Sequence, residues 1–222
     1  MCLDLPPAQT FFSILSESYR LLAHVRRGLE KGAIKENNMI HLSKEVRREF
    51  QTVWALSGFL STDLTERGAD TMYAADASLE EYAYVSTTAE PHTEWIHETV
   101  LVHTQHAARV MAKKRWHLRR HKWFRYEVGK NLTGEICAFR HAATAAAKEN
   151  VGKEVIIYTD YSNVYHAVSK GRSRTRKLNN LCRNVLFLEL VYNVRIHARW
   201  CPSASMPADK YTRRSRYPGC KL

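Results

Sequence analysis

The stretch Val155-Ile156-Ile157-Tyr158-Thr159-Asp160 decides the fold class of this chain. Five consecutive β-branched or aromatic residues predict a buried strand, and an aspartate closes it. A second stretch has the same design: Val194 to Trp200 alternates as a strand, Pro202 ends it, and Asp209 begins a helix. Two carboxylates delivered at strand ends predict a metal-dependent site for nucleic-acid chemistry.

The N-terminal part of the chain predicts a helical hairpin. Residues 10–31 carry apolar side chains at three- and four-residue steps, with Thr10 as a cap and Gly32 as the end. A second amphipathic helix is predicted from Ser43, its N-cap, to Ser57.

Strands and helices then alternate along the rest of the chain. Strands are predicted at 72–76, 82–88 and 98–102, and helices at 104–125, 135–148, 162–169 and 175–192. Strands first and alternation later predict an α/β protein, a mixed sheet with helices on both faces.

The charge of the chain is uneven. The net charge is +12, and residues 170–222 hold 13 Lys or Arg against two acids, Glu189 and Asp209, a local balance of +11. This asymmetry predicts a polyanionic partner, nucleic acid above all, and a solvated basic tail is the alternative. No apolar run reaches the length of a membrane span. Five scattered cysteines without a C-x-x-C pair favour a reducing, intracellular location, in the cytoplasm or the nucleus.

Four acids stand where a sheet can bring them together. Asp76 closes the first strand, Glu135 lies early on an Ala-rich helix, Asp160 closes the buried strand, and Asp209 begins the last helix. Mg²⁺ prefers hard oxygen ligands, and a site for two such ions needs several converging carboxylates.

The segments around these acids resemble the four acidic motifs of a ribonuclease H domain. They are Asp76-Ala77-Ser78, Gly134-Glu135-Ile136-Cys137-Ala138, Thr159-Asp160-Tyr161-Ser162 and Pro202-Ser203-x-x-x-Pro207-Ala208-Asp209. They look most like those of retroelement reverse transcriptases of the tyrosine-recombinase group, DIRS-like and VIPER-like. The chain departs from the family at Tyr161, where Asn is usual, in the long interval between Asp76 and Glu135, and in lacking a catalytic-type histidine before Asp209. His197, on the strand, is interpreted as structural.

The resemblance implies a ribonuclease-H-like domain over residues 71–216. Residues 1–70 resemble the helical thumb and connection region that precedes such domains, and 217–222 form a tail. It also implies hydrolysis of the RNA strand of RNA–DNA hybrids with two Mg²⁺ ions, or Mn²⁺ in their place. Asp76, Glu135, Asp160 and Asp209 would be the catalytic metal ligands. The polymerase part of the same polyprotein is the implied protein partner, since this chain has no Tyr-x-Asp-Asp motif.

Two basic segments are candidates for nucleic-acid contact. Arg172, Arg174, Arg176 and Lys177 follow the third acid, and Lys113, Lys114, Arg115, Arg119 and Arg120 belong to the predicted helix 104–125. Trp116 and Trp123 interleave with the second group and would either stack on bases or pack into the core. His117 and His121 have zinc-ligand spacing on a helix, but a solvated basic helix is the favoured reading.

The sequence is also compatible with two further functions. The chain could be a catalytically inactive, nucleic-acid-binding remnant of a retroelement polyprotein, or a nuclease of the same type that acts on DNA.

Overall fold

A computed structural model describes residues 13–35, 37–56, 67–89, 114–124 and 131–212. The predicted strand at 98–102, residue Lys113, the cap Thr10 and the tail 217–222 lie outside the described residues. No described helix is long and apolar enough to cross a membrane.

The N-terminal hairpin consists of α1 (Ser16–Glu30) and α2 (Lys44–Leu56). Ser43 caps α2 as predicted, since its Oγ accepts from the Val46 N–H at 3.3 Å. The cap of α1 comes from the other helix. The buried Glu49 carboxylate of α2 accepts from the N–H groups of Glu17 and Ser18, at 2.7 and 2.8 Å. The orphan donors at the start of α1 are therefore satisfied across the hairpin.

The sheet contains β1 (Arg67–Gly68), β2 (Thr71–Ala77), β3 (Glu81–Thr88), β4 (His117–Trp123), β5 (Lys153–Thr159) and β6 (Arg195–Trp200). Strands β2, β3 and β4 form an antiparallel meander, while β5 pairs in parallel with β1, β2 and β6. Because β6 occupies one edge of β5, β1 and β2 share the other edge. The sheet is thus mixed and five strands wide.

Helices cover both faces of the sheet unequally. The helices α3 (Asn131–Glu149), α4 (Ser162–Ser169) and α5 (Arg176–Tyr192) pack on the first face around residues such as Tyr73, Phe139 and Leu181. A 3₁₀ turn (Ser203–Ser205) and the short helix α6 (Asp209–Thr212) lie over the second face, which carries Met72 and Tyr158. The predicted α/β class, a mixed sheet with helices on both faces preceded by a helical hairpin, is confirmed.

One predicted element is wrong. Where residues 104–125 are described they form β4 and its flanks, and no helix. The segment pairs with β3 from Glu81↔Trp123 to Ser86↔His117, with a bulge that sets Arg119 apart from the ladder. Its charged side chains suit an exposed edge strand, because charge on an edge discourages pairing with another chain.

The hairpin packs on α5. Ile14 meets Leu186, and the backbone oxygen of Ser13 accepts from Asn179 Nδ2 at 2.8 Å and from Arg183 Nε at 3.0 Å. The hairpin is therefore in direct contact with the helical layer on the sheet.

Strand β1 pairs with β5 and belongs to the sheet, although it precedes residue 71, where the ribonuclease-H-like domain is expected to begin.

Candidate metal centre

Asp76 and Asp160 meet because β2 and β5 are parallel neighbours. The register pairs Tyr73 with Ile157 and Ala74 with Tyr158. Two residues further on, the same register brings Asp76 beside Asp160 at the carboxyl end of both strands. Ala74 and Tyr158 lie in the second-face core, so the two-residue period of a strand turns both aspartates toward that face.

Glu135 reaches the aspartates from the first turns of α3. One carboxylate oxygen from each of Asp76, Glu135 and Asp160 lies within 4.8 Å of the other two. Gly134 makes this approach possible. A Cβ at Gly134 would lie 3.2 Å from Ala77 Cβ and 3.2 Å from the Ser78 backbone oxygen. A larger residue there would push α3 away from β2.

The cluster has a strongly negative, poorly solvated centre. Burial raises the pKa of Glu135 to about 9, helped by the charges of Asp76 and Asp160, although the Ala77 N–H opposes the shift. Glu135 Oε2 is buried and has no hydrogen-bond partner within the described ranges. The pKa of the neighbouring Cys201 thiol is raised by burial and then by the charges of Asp160 and Asp76. Such an arrangement is costly unless a cation neutralises it.

Two side chains that the sequence analysis missed hold the aspartates in place. Thr212 Oγ1 on α6 donates to Asp76 Oδ2, and both residues are buried. Trp200 Nε1 on β6 donates to the backbone oxygen of Asp160 at 3.0 Å. The Thr212 contact had a weak sequence signal, a hydroxyl one helical turn after Asp209. The Trp200 contact depends on the pairing of β6 with β5, and the sequence offers no signal for that contact.

Asp209 lies at the margin of the cluster. It begins α6 as predicted and is partly buried. It also raises the pKa of Glu135, but as the smallest of the contributing charges. The close group of three ligand atoms does not include it. The structure thus brings three of the four predicted acids into one group and puts the fourth beside it.

Tyr161 and His197 occupy structural positions. Tyr161 precedes α4, and its backbone oxygen accepts from the N–H groups of Val164 and Tyr165 at 3.0 and 3.1 Å. Its side chain packs against the first-face core. The Nε2 atom of His197 lies 3.6 Å from Glu154 Oε2, away from the acidic cluster. The interpretation of His197 as structural agrees with this position.

The first basic segment runs from the end of α4 to the start of α5. Arg172, Arg174, Arg176 and Lys177 are all exposed. Lys177 Nζ donates to Thr133 Oγ1 at 3.0 Å, which places this ammonium group two residues before Glu135 on α3. The Arg172 guanidinium lies 4.7 Å from the ring centroid of Tyr19, on the hairpin. The segment therefore lies along one flank of the start of α3.

The second basic segment is divided among different roles. Lys114 Nζ donates to the backbone oxygen of Thr88 at 2.9 Å, and Arg119 pairs with Glu149 at the far end of α3. Arg115 and Arg120 are exposed. The core-packing alternative holds for Trp116, which is buried, whereas Trp123 is about half exposed. 

His121 does not form a zinc pair with His117. Both residues are on β4, and His121 Nε2 instead contacts the buried carboxylate of Glu81 on β3. No sequence signal indicated this ion pair, because it depends on the register between two strands.

The donor set fits a hard divalent cation. Three carboxylates offer oxygen atoms within 4.8 Å of one another, and no thiolate or imidazole belongs to the group. The Oε2 atom of Glu135 is buried and has no hydrogen-bond partner among the described residues. All-oxygen donor sets of this kind suit Mg²⁺ or Mn²⁺ rather than Zn²⁺.

Among proteins of known structure, the chain is similar to two RNase H proteins and to foamy viral protease-reverse transcriptase. RNase H1 from Halobacterium salinarum NRC-1 is 12% identical, with a TM-score of 0.45 over 67% of this chain and 98% of that one. A foamy viral protease-reverse transcriptase in complex with an RNA/DNA hybrid is 12% identical, with a TM-score of 0.39 over 83% of this chain and 22% of that one. The N-terminal RNase H domain of a Mycobacterium tuberculosis protein is also 12% identical, with a TM-score of 0.39 over 64% and 92% of the two chains.

No family model matches the chain, and no curated protein matches it.

Proposed function

We propose that the chain is a ribonuclease H-type endonuclease that hydrolyses the RNA strand of RNA–DNA hybrids with two divalent cations, Mg²⁺ or Mn²⁺. The observation that carries this proposal is the convergence of Asp76, Glu135 and Asp160 within 4.8 Å. Carboxylates at this spacing, at the carboxyl end of parallel strands, suit a pair of ions about 3.5–4 Å apart.

Asp76, Glu135 and Asp160 would hold the ions, with Asp209 as a ligand at the margin. When bound, the cations would lower the pKa of a water molecule and stabilise the charge on the leaving 3′ oxygen. The protein's own contribution is to fix the ligands. Thr212 orients Asp76, and the Trp200 indole anchors the backbone of Asp160. Such supporting contacts typically change metal affinity or activity 10- to 100-fold.

The basic segment from Arg172 to Lys177 would bind the sugar–phosphate backbone beside the cleavage site. Its four cations are exposed, and Lys177 already lies against the start of α3. Hybrid duplexes are recognised mainly through backbone shape and 2′-hydroxyl contacts, which flexible cations can follow. The positive flank offsets the repulsion between an acidic centre and a polyanion.

We further propose that residues 71–216 are the nuclease domain and that the hairpin is the remnant of a thumb or connection region of a retroelement polyprotein. The direct contacts of Ser13 and Ile14 with α5 support a hairpin that stays docked on this domain. A polymerase part of the same polyprotein would then be the protein partner.

The decisive experiment is a cleavage assay on a hybrid with labelled RNA, with wild type beside Asp160→Asn. We expect Mg²⁺-dependent cleavage by the wild type and none by Asp160→Asn, whose melting temperature should show that it is folded. Cleavage by Asp160→Asn at the wild-type rate would overturn the assignment of the site. Duplex DNA and duplex RNA offered in parallel separate a hybrid-specific enzyme from a general nuclease.

A second candidate function is an inactive nucleic-acid-binding remnant. Two observations favour it: Tyr161 packs into the core beside Asp160, and Asp209 stays outside the close carboxylate group. Salt-dependent hybrid binding without cleavage, in Mg²⁺ and in Mn²⁺, would support this candidate over the enzyme.

A further inference from the structure

A second group of cations lies where α3 meets the edge strand β4. It consists of Arg120 and Lys122 on β4 and Arg140 on α3, and we refer to these three residues as the edge patch. All three are exposed. None forms an ion pair with a carboxylate in the described part of the chain, in contrast to Arg119, which is neutralised by Glu149. Arg120 and Lys122 come from the basic segment 104–125, whereas Arg140 belongs to neither basic segment of the sequence analysis.

The three cations lie around one pair of stacked rings, those of Tyr82 and His141. The Tyr82 and His141 rings stack nearly parallel, with centroids 4.8 Å apart and planes 4° apart. Tyr82 faces Lys122 directly in the strand register, and Tyr84 faces Arg120. Burial lowers the pKa of His141, and the charges of Arg120, Arg140 and Lys122 lower it further. The same three cations act on the Cys137 thiol.

The position of the edge patch relates it to the acidic centre. Tyr82 pairs with Ala77, the residue after Asp76. On α3, Arg140 follows Glu135 by five residues, a rise of about 7.5 Å along the helix. On β4, Arg120 and Lys122 are two residues apart on one face, about 6.8 Å.

Lys177 contacts α3 at Thr133, to which its ammonium group bonds. Thr133 and Arg140 are seven residues apart, so they lie on nearly the same side of α3, about 10.5 Å apart along its axis. Glu135 lies between these two residues along the helix, so Lys177 and Arg140 mark the two axial sides of the acidic centre. A nucleic acid that follows only the Arg172–Lys177 segment would leave the edge patch without a counter-ion.

We propose that the edge patch is a second nucleic-acid-binding surface, which holds backbone phosphates farther along α3, on the axial side of Glu135 away from Lys177. This proposal rests on the proposed function, since it takes the same duplex as its ligand. The surface recognises phosphodiester charge and carries no base specificity, because its exposed groups are cations and its aromatic rings are committed to each other. All three cations are on rigid elements, β4 and α3, so they orient the duplex as well as attract it.

The test uses the Asp160→Asn background, so that binding is measured without cleavage. Affinity for a fluorescent RNA–DNA hybrid is followed by anisotropy from 50 to 200 mM salt. The Arg120→Ala/Lys122→Ala/Arg140→Ala variant should bind roughly 10- to 100-fold more weakly at 0.1 M salt and flatten the log–log salt slope by about 2–3, at about 0.9 per lost phosphate contact. The matched control is Lys31→Ala/Lys35→Ala/Lys44→Ala, which removes three exposed cations of the hairpin region. Its slope should stay near that of the parent.

The two proposals fail in distinguishable ways. A parent protein that does not bind the hybrid at all overturns the proposed function and the edge patch together. A parent that binds, with an edge-patch variant whose slope equals that of the control, overturns the edge patch alone. Should loss of Arg120 disturb the fold beside Tyr82, the Lys122→Ala/Arg140→Ala variant gives the same test with an expected flattening of about 1.8.

Discussion

Replacing Glu135 with glutamine should stabilise the metal-free protein at neutral pH. Glu135 is 6% exposed, and its pKa is raised from 4.5 to about 9 by burial and by the charges of Asp76 and Asp160. The native state therefore holds a proton on this carboxyl that the unfolded chain releases above pH 4.5. For a carboxyl with a raised pKa, stability falls as the pH rises from the unfolded value toward the folded one.

The size of the effect follows from the shift. At pH 7.5 the side chain stands three pH units above its unfolded pKa of 4.5, which costs about 4 kcal/mol at about 1.36 kcal/mol per unit. Glutamine has the same shape and is neutral in both states, so it avoids this cost. Because Glu135 is coupled to neighbouring charges, we expect a gain of about 2–4 kcal/mol, or roughly 4–16 °C in Tm at about 2–4 °C per kcal/mol.

The assay is denaturant or thermal unfolding of wild type and Glu135→Gln with a chelator present, at pH 4.5, 6 and 7.5. The difference in free energy of unfolding should be near zero at pH 4.5 and grow with pH. Glu80→Gln is the matched control, an exposed carboxyl at the nearby β2–β3 turn, and should change stability by less than about 0.5 kcal/mol at every pH. A gain that is absent at pH 7.5, or equal at all three pH values, would refute the reasoning.

Two further predictions concern residues that support the site and the hairpin. Thr212→Val keeps the shape of the side chain but removes the hydroxyl that donates to Asp76, so Mg²⁺-dependent cleavage should fall 10- to 100-fold, with a higher Mg²⁺ requirement in a metal titration; a wild-type titration curve would contradict this role. Glu49→Ala leaves the first N–H groups of α1 without their acceptor, so hydrogen exchange in α1 should speed up and unfolding should cost about 2–4 kcal/mol less; unchanged protection of α1 would show that its cap lies elsewhere.

The sequence determined the parts of this protein that depend on local pattern. The apolar run before Asp160 identified a buried strand, and the stop at Gly171 placed a short helix at Ser162–Ser169, as observed for α4. The position of acids at strand ends and helix starts then predicted that Asp76 and Asp160 converge. These inferences succeed because backbone period and strand direction are fixed by residues close together in the chain.

The basic segment 104–125 shows where local pattern fails. Its residues favour neither helix nor strand strongly, and pairing with β3 decides the outcome where the segment is described. The ion pair between His121 and Glu81 follows from that pairing, and so does the convergence of Lys122 with Arg140.

Tertiary structure alone also decided the environment of the site. The charges that raise the pKa of Glu135, the bond from Thr212 to Asp76 and the cap that Glu49 provides for α1 all join residues more than twenty positions apart in the chain. Burial and charge coupling depend on which elements pack together. The sequence around a carboxylate does not indicate which distant side chains will contact it in the fold. The sequence therefore determined which acids could form a centre, and the packing of α3 and α6 against β2 and β5 decided how close, how buried and how strongly coupled they are.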